Sequence, residues 1–208
     1  SADVEPSYRL LSLNEVILRG DSLQAMLPDA LEIAMSLSRA ERGFILLRDR
    51  AAGRVGAFKV AASRDVDGEP IPSPHLAVSL TIAEEAAQTG RTVVTLNAQK
   101  DGRFSEALSV VDLDLTSVLC VPVRDGSGLL GALYLDHRFR PGVFEGELPR
   151  MMQAFGHQLA LAITNATRVS ELEGTRAHLA ELLEEREAML TGLEQRVSEL
   201  THQVERRQ

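Results

Sequence analysis

Tryptophan is absent from the 208 residues, cysteine occurs once, and aromatic residues make up only 4%. A single cysteine excludes internal disulfides and any cysteine-built zinc cage, and it fits a reducing compartment. So few aromatics leave little with which to stack bases or sugars. Positive charge is also in deficit, with 22 Lys and Arg against 30 Asp and Glu, for a formal net charge of −8 and a pI near 5.2. That balance argues against nucleic-acid contact by this chain and against a polybasic membrane contact. No apolar run approaches the roughly 20 residues that a bilayer-spanning helix needs. What is present is ordinary for a globular protein, namely 44% hydrophobic and 25% charged residues with 15 Gly and 8 Pro. Collagen-like, disordered and low-complexity readings are therefore out. The length suits one domain of usual size plus an appendage. The chain opens Ser1-Ala2-Asp3, without an initiator Met or a signal-peptide pattern, and reads as an excised or tagged piece. These features predict an acidic, soluble, cytoplasmic protein.

The strongest pattern lies at the C-terminal end. Val169, Leu172, Arg176, Leu179, Leu183, Arg186, Leu190, Leu193, Val197, Leu200 and Val204 alternate at intervals of three and four, with Arg207 continuing the series. This is a heptad register with Val169 at a and Leu172 at d. No proline follows Pro149, so a helix is predicted from about Glu147 towards Gln208, on the order of 90 Å at 1.5 Å per residue. Gly174 and Gly192 fall at outer heptad positions. So long and exposed a helix is unstable alone and calls for a partner strand, most simply a second copy in parallel. Arg176 and Arg186 on the seam would weaken it and hold two registers close in energy.

Leu10 to Leu18 form an apolar helical segment closed by Gly20, and Asp21-Ser22 offer an N-cap to a second helix carrying Leu23, Met26, Leu27, Leu31, Ala34 and Leu37. Pro28 is placed at the first turn of a restarted helix. Beyond it the period changes to two. Strands are predicted over Gly43–Leu47, Ala57–Ala62, Thr92–Leu96, Ser117–Val123 and Leu129–Asp136. Turn residues Asp49 to Gly53 make the first two a hairpin, and Asp125-Gly126-Ser127-Gly128 make the last two another. Helices are predicted over Val78–Thr89, closed by Gly90, and over Phe104–Leu113. The last two strands are apolar on nearly every residue, so both faces of the sheet must be covered. The fold class is α+β: a central, mainly antiparallel sheet with helices on both faces, followed by a long C-terminal coiled-coil helix.

Motifs with catalytic or cofactor chemistry fail on context. Gly126-Ser127-Gly128-Leu129-Leu130-Gly131 matches G-x-G-x-x-G, but a strand follows it, so no helix N-terminus faces a pyrophosphate. Asp65-Val66-Asp67-Gly68-Glu69 lacks the twelve-residue spacing and terminal Glu of a calcium loop. Cys120 sits inside an apolar strand as a small core residue. Of His75, His137, His157, His178 and His202, none lies at metal-protease spacing. No Gly-x-Ser-x-Gly elbow and no phosphate-binding Gly-Lys loop occurs. The chain is read as non-catalytic, without a metal site and with no cofactor assigned.

Six stretches, in order, resemble the GAF domain family: Ala40–Leu47, Gln88–Val93, Asp101–Phe104, Thr116–Val123, Leu130–Asp136 and the helix Phe155–Ala166. The resemblance covers about Ser22 to Arg168. It implies a sheet whose one side carries the first and last helices, often as a dimer bundle, while short helices and loops on the other side often enclose a small-molecule pocket. It further implies a regulatory input of a bacterial signalling protein. Glu41–Leu47, Ser117–Pro122 and Leu133–Arg138 look most like the sigma-54-dependent activators, whereas Leu193–Val197 resembles linkers into histidine kinases. The domains are then 1–20, an N-terminal helical segment; 21–168, the GAF sensory domain; and 169–208, a parallel coiled-coil signalling helix. The chain departs from the family's cyclic-nucleotide signature, since Ala98 follows Asn97 and no Asp-Glu pair follows Phe104. It also lacks the Cys-before-His arrangement of bilin-binding relatives and the clustered cysteines of those that reduce methionine sulfoxide.

Candidate ligand-binding residues follow from this placement. Tyr134 and Asp136 share a strand face, and their polar tips must meet water, a ligand or a partner. Arg64, His75, Asn97, Arg103 and Phe104 lie in loops and short helices that the resemblance places near the pocket. The expected partners are a second copy, through the first and last helices and the coiled coil, and a small-molecule ligand. The rival expectation is a dimer clamp that binds nothing.

Overall fold

The computed structural model describes residues 22–49, 57–104 and 107–206, without the side chains of residues 108, 199–201, 203 and 204. The helix expected over Leu10–Leu18 and the turn after Asp49 lie outside the described residues. The chain divides into two compact units, Ser1–Ala166 and Thr167–Gln208.

Helix α1 (Leu23–Ser38) starts where Ser22 accepts a hydrogen bond from the Ala25 N–H at 3.4 Å. This satisfies one of the orphan donors of the first turn. It ends at Arg39, whose left-handed backbone (φ 56°) returns its N–H to the Met35 carbonyl. Pro28 does not restart the helix; it lies inside it, on the sixth residue. The reason is packing. Met26, Leu27, Ala30, Leu31 and Ala34 straddle the proline at helical spacing and are all buried, so their burial outweighs one lost backbone hydrogen bond.

Five strands follow: β1 (Arg42–Arg48), β2 (Phe58–Arg64), β3 (Val93–Thr95), β4 (Ser117–Asp125) and β5 (Gly128–His137). They form one sheet in the order β2-β1-β5-β4-β3, with every neighbouring pair antiparallel. Between β2 and β3 lie a 3-10 turn (Pro74–Leu76) and helix α2 (Leu80–Thr89). Gly90 closes α2 with φ 65° and an N–H to the Ala86 carbonyl, the left-handed stop its position predicted. Helix α3 (Leu108–Asp112) is shorter than the Phe104–Leu113 segment expected, because Phe104 belongs to a turn that precedes it.

Alternation along the strands builds two cores. One face of the sheet presents Ile45, Leu119, Val121, Leu133 and Leu135 to α1 and to the start of α4 (Leu148–Glu205), whose Met152, Phe155, Leu159 and Ile163 are buried there. The other face presents Phe44, Leu46, Val118, Cys120 and Tyr134 to α2, α3 and their loops. A fully buried side chain of this size contributes roughly 1.5–3 kcal/mol. Both faces are thus covered, as the apolar run of β4 and β5 demanded. The G-x-G-x-x-G match is the β4–β5 hairpin. Asp125 and Gly128 pair across it, and the Asp125 carboxylate accepts from the N–H groups of Ser127 and Gly128 at 2.8 and 3.1 Å.

In the second unit α4 carries the heptad seam. Val169, Leu172, Leu179, Leu183, Leu190, Leu193 and Val197 are 48–69% exposed in the single chain, and Arg176 and Arg186 are exposed as well. The seam side chains of Leu200 and Val204 lie outside the described residues.

Candidate functional site

The α2–α3 face of the sheet carries an unusual concentration of polar groups at one end. Antiparallel pairing of β1 with β5 sets Arg42 opposite Asp136 and Phe44 opposite Tyr134. The Arg42 guanidinium grips the Asp136 carboxylate through two hydrogen bonds of 2.8 Å each. Arg42 is 8% exposed and Asp136 is fully buried. Burial pushes the Asp136 carboxyl up to about 6 against the pull of Arg42, because removing a charge from water costs more than one counter-ion returns. Beside this pair Glu41 receives the backbone N–H and the guanidinium of Arg138. Although burial raises it, the Arg138 hydrogen bonds prevail and hold the Glu41 carboxyl below its usual range. His137 turns Nδ1 towards the N–H groups of Phe139 and Arg140, at 3.2 Å each. Burial lowers the His137 pKa, which suits that accepting role.

Inward from the ion pair stands Tyr134, its ring edge-on to Phe44 at 5.8 Å. Its hydroxyl is buried and faces the Ser79 backbone without closing a hydrogen bond. Burial raises the Tyr134 pKa well above the usual phenol value. Ser79, at the N-cap of α2, makes no capping bond and directs its hydroxyl to Ser109, at the second residue of α3, over 2.9 Å. Thr95 presents another buried hydroxyl that closes no hydrogen bond, on the side of the Asp101 carboxylate. Thr92, just before β3, carries a third such hydroxyl, and an unsatisfied buried hydroxyl costs roughly 1–3 kcal/mol.

The seven candidate residues separate accordingly. Tyr134 and Phe104 belong to one buried cluster. Arg103 lies over the Phe104 ring, its guanidinium 4.9 Å from the ring centre, and holds Asp101 and the Val94 carbonyl. The Arg103 hydrogen bond lowers the Asp101 carboxyl. Asp136 joins the polar end, but its carboxylate meets Arg42 within the chain rather than an outside partner; the antiparallel register supplies a buried cation two positions before Phe44. Arg64 faces the opposite side of the sheet, lining an open cleft of about 270 Å³ with Glu32, Met35, Ser36 and Asp65. His75 is exposed on the 3-10 turn, and Asn97 is half-buried just past β3. The sequence reading omitted Arg42, Glu41, Ser79, Thr95 and Ser109. Arg42 was accessible from opposite charges at mirrored offsets on two strands; the serines and the threonine carry no such signal.

Cys120 sits opposite Tyr134 on β4, completely buried, and desolvation pushes its thiol up to about 12. Because the thiolate is the reactive species, the native protein is expected to leave Cys120 unlabelled by Ellman's reagent at pH 8. Stoichiometric release of the chromophore should appear only on adding guanidinium chloride. Rapid labelling of the native chain would show the α2–α3 face to be open.

Among the described residues no group of three or more His, Cys, Asp or Glu side chains could hold a metal ion, and no helix is long and apolar enough to cross a membrane.

Comparison with solved structures returns the same architecture. The GAF domain of an Acinetobacter phosphoenolpyruvate-protein phosphotransferase aligns over 80% of this chain and 98% of its own, with TM-score 0.60 at 21% identity. The GAF domain of a putative sensor histidine kinase from Pseudomonas syringae pv. tomato aligns over 82% and 95%, with TM-score 0.57 at 16% identity. Free methionine-R-sulfoxide reductase from Neisseria meningitidis, solved with its substrate, aligns over 82% and 94%, with TM-score 0.61 at 14% identity. No curated protein matches the chain. A model of the GAF domain matches residues 22–163, more than half of the chain and the whole of the sheet with its covering helices, and the chain belongs to the GAF domain family.

Proposed function

We propose that this chain is a non-catalytic regulatory module that takes up a small polar ligand under α2 and α3 and passes the change through a parallel coiled-coil dimer. The observation that carries the reading is that the buried hydroxyls of Tyr134 and Thr95, on the α2–α3 face of the sheet, close no hydrogen bond. A ligand able to accept or donate hydrogen bonds would satisfy both and draw α2 and α3 down on the sheet. The dimer rests on the apolar seam from Val169 to Val197, which is about half exposed or more at each described position in the single chain. A lone helix does not sustain such exposure in water.

The finer reading is the input domain of a sigma-54-dependent transcriptional regulator, supported by the phrases Glu41–Leu47, Ser117–Pro122 and Leu133–Arg138. A histidine kinase is the second reading, favoured by Leu193–Val197 and in keeping with the GAF domain of a putative sensor histidine kinase among the similar structures. Reductase chemistry is set aside on positive grounds: the chain's one thiol is buried and held protonated. We place the protein in the cytoplasm.

Native mass spectrometry of the purified chain, repeated after denaturation, tests the proposal. A dimer carrying extra mass that denaturation removes is the expected result, and that mass identifies the ligand. A dimer of bare polypeptide mass would favour a structural clamp, and a monomer would overturn the coiled coil.

A further inference from the structure

Arg124 and Asp125 are consecutive on β4, and the alternation that sends Val118 and Cys120 to one face and Val121 and Val123 to the other sends their side chains to opposite layers of the domain. The Arg124 guanidinium lies over Gly90, in the space a side chain there would occupy. This sets a cation at the C-terminal, negative end of the α2 dipole. Asp125 turns to the other side. One of its carboxylate oxygens accepts from the Thr164 hydroxyl on α4 at 2.8 Å, two residues before the first unit ends at Ala166. Its other oxygen is held by the backbone N–H and hydroxyl of Ser127, at 2.8 and 2.6 Å, and by the Gly128 N–H at 3.1 Å. A carboxylate fixed by four donors cannot turn without moving the hairpin. On the far side α2 packs through Ile82, Ala83 and Ala86 into the same cluster as Tyr134 and Phe104.

We propose that Arg124 and Asp125 form the mechanical link through which a displacement of α2 reaches the last turn of α4 inside the domain. The proposal rests on the regulatory reading above, because it supplies the route from the sensing face to the signalling helix. Asp125 is held down to about 2, first by Ser127 and then by Thr164, so the link stays ionised throughout the physiological range.

Amide hydrogen exchange on the full 208-residue chain tests the link without ligand or output domain. Thr164→Val keeps the shape and removes the hydroxyl. Losing a hydrogen bond to a charged group should speed exchange at residues 161–166 by about tenfold, and Thr164→Ser should restore the native rate. Arg124→Met alters a side chain that lies against Gly90 at the end of α2, yet it should also speed exchange at 161–166, and this effect should vanish in the Arg124→Met/Thr164→Val double variant. An Arg124→Met effect confined to α2, or one that persists undiminished beside Thr164→Val, overturns the proposal. So does native exchange in Thr164→Val. A chain that binds no ligand but shows the coupling would sink the sensory reading and leave the link standing, and the converse result would do the opposite.

Discussion

Replacing Asp136 by Asn is expected to cost about 3–5 kcal/mol of folding stability at pH 7, because it strands Arg42 as a buried cation without a counter-ion. Both hydrogen bonds from the Arg42 guanidinium end on Asp136, its other neighbour is the face of the Phe44 ring at 5.9 Å, and the nearby carboxylate, Glu41, is committed to Arg138. Replacing both members, Arg42→Met with Asp136→Leu, should recover most of the loss, since an apolar pair of similar volume needs no desolvation of charge. Urea unfolding of the two single variants and the double variant reads the coupling directly. If Asp136→Asn alone were as stable as the native chain, the pair would be no more than a surface contact. The acid response of this corner of the sheet follows Glu41. Its lowered value contributes stability that is present above its ordinary 4.5 and disappears as the pH falls further.

How much of this was readable beforehand depended on what kind of signal each feature carries. β4 and β5 announced themselves, because a strand buried on both faces must be apolar at every position, and Val118–Val123 and Leu129–Leu135 are. Gly90 announced the end of α2 through the one conformation glycine accepts cheaply. Pro28 misled because local propensity speaks for one residue, whereas the helix is held by five buried neighbours around it. The site divides in the same way. Tyr134 stood out by a polar tip on an apolar strand and Phe104 by its place in the resemblance, and the two meet in one cluster. Arg64 is expected in a loop beside the pocket but instead ends β2 opposite Gly43, and the bulge between Ile45 and Leu46 in the β1–β2 register turns it to the other face of the sheet. A one-residue slip reverses every side chain. Asp136 looked like a group seeking a ligand because its cation lies 94 positions away in the sequence. Ser79 and Ser109 meet across 30 positions between two short elements with no periodic pattern linking them.

The second large effect is expected from a single methyl group on Gly131. Here β1 and β5 are paired, Leu47 opposite Gly131 and Leu46 opposite Ala132. A Cβ built on Gly131 would fall inside the Leu46 carbonyl oxygen, with the Leu46 carbonyl carbon at 3.1 Å and the Leu47 Cα at 3.3 Å. All three are backbone atoms of the central pair of strands, so no rotamer change relieves the clash, and the two strands must part. Gly131→Ala is therefore expected to destabilise by roughly 3 kcal/mol or more, at the upper end of what overpacking costs. Parting these strands would also slide Phe44 past Tyr134 and Arg42 past Asp136, so the polar end of the α2–α3 face should loosen with the sheet. Gly192→Ala supplies the opposite sign from the same chemical change. Nothing lies within 4 Å of its added Cβ, its position is in the exposed part of α4, and alanine is favoured over glycine inside a helix by about 1 kcal/mol. Thermal unfolding followed by circular dichroism should show Gly131→Ala melting well below the native chain and Gly192→Ala at or above it. A Gly131→Ala protein as stable as the native one would mean that β1 and β5 do not run as close as the clash requires, and the register that places Arg42 on Asp136 would fall with it.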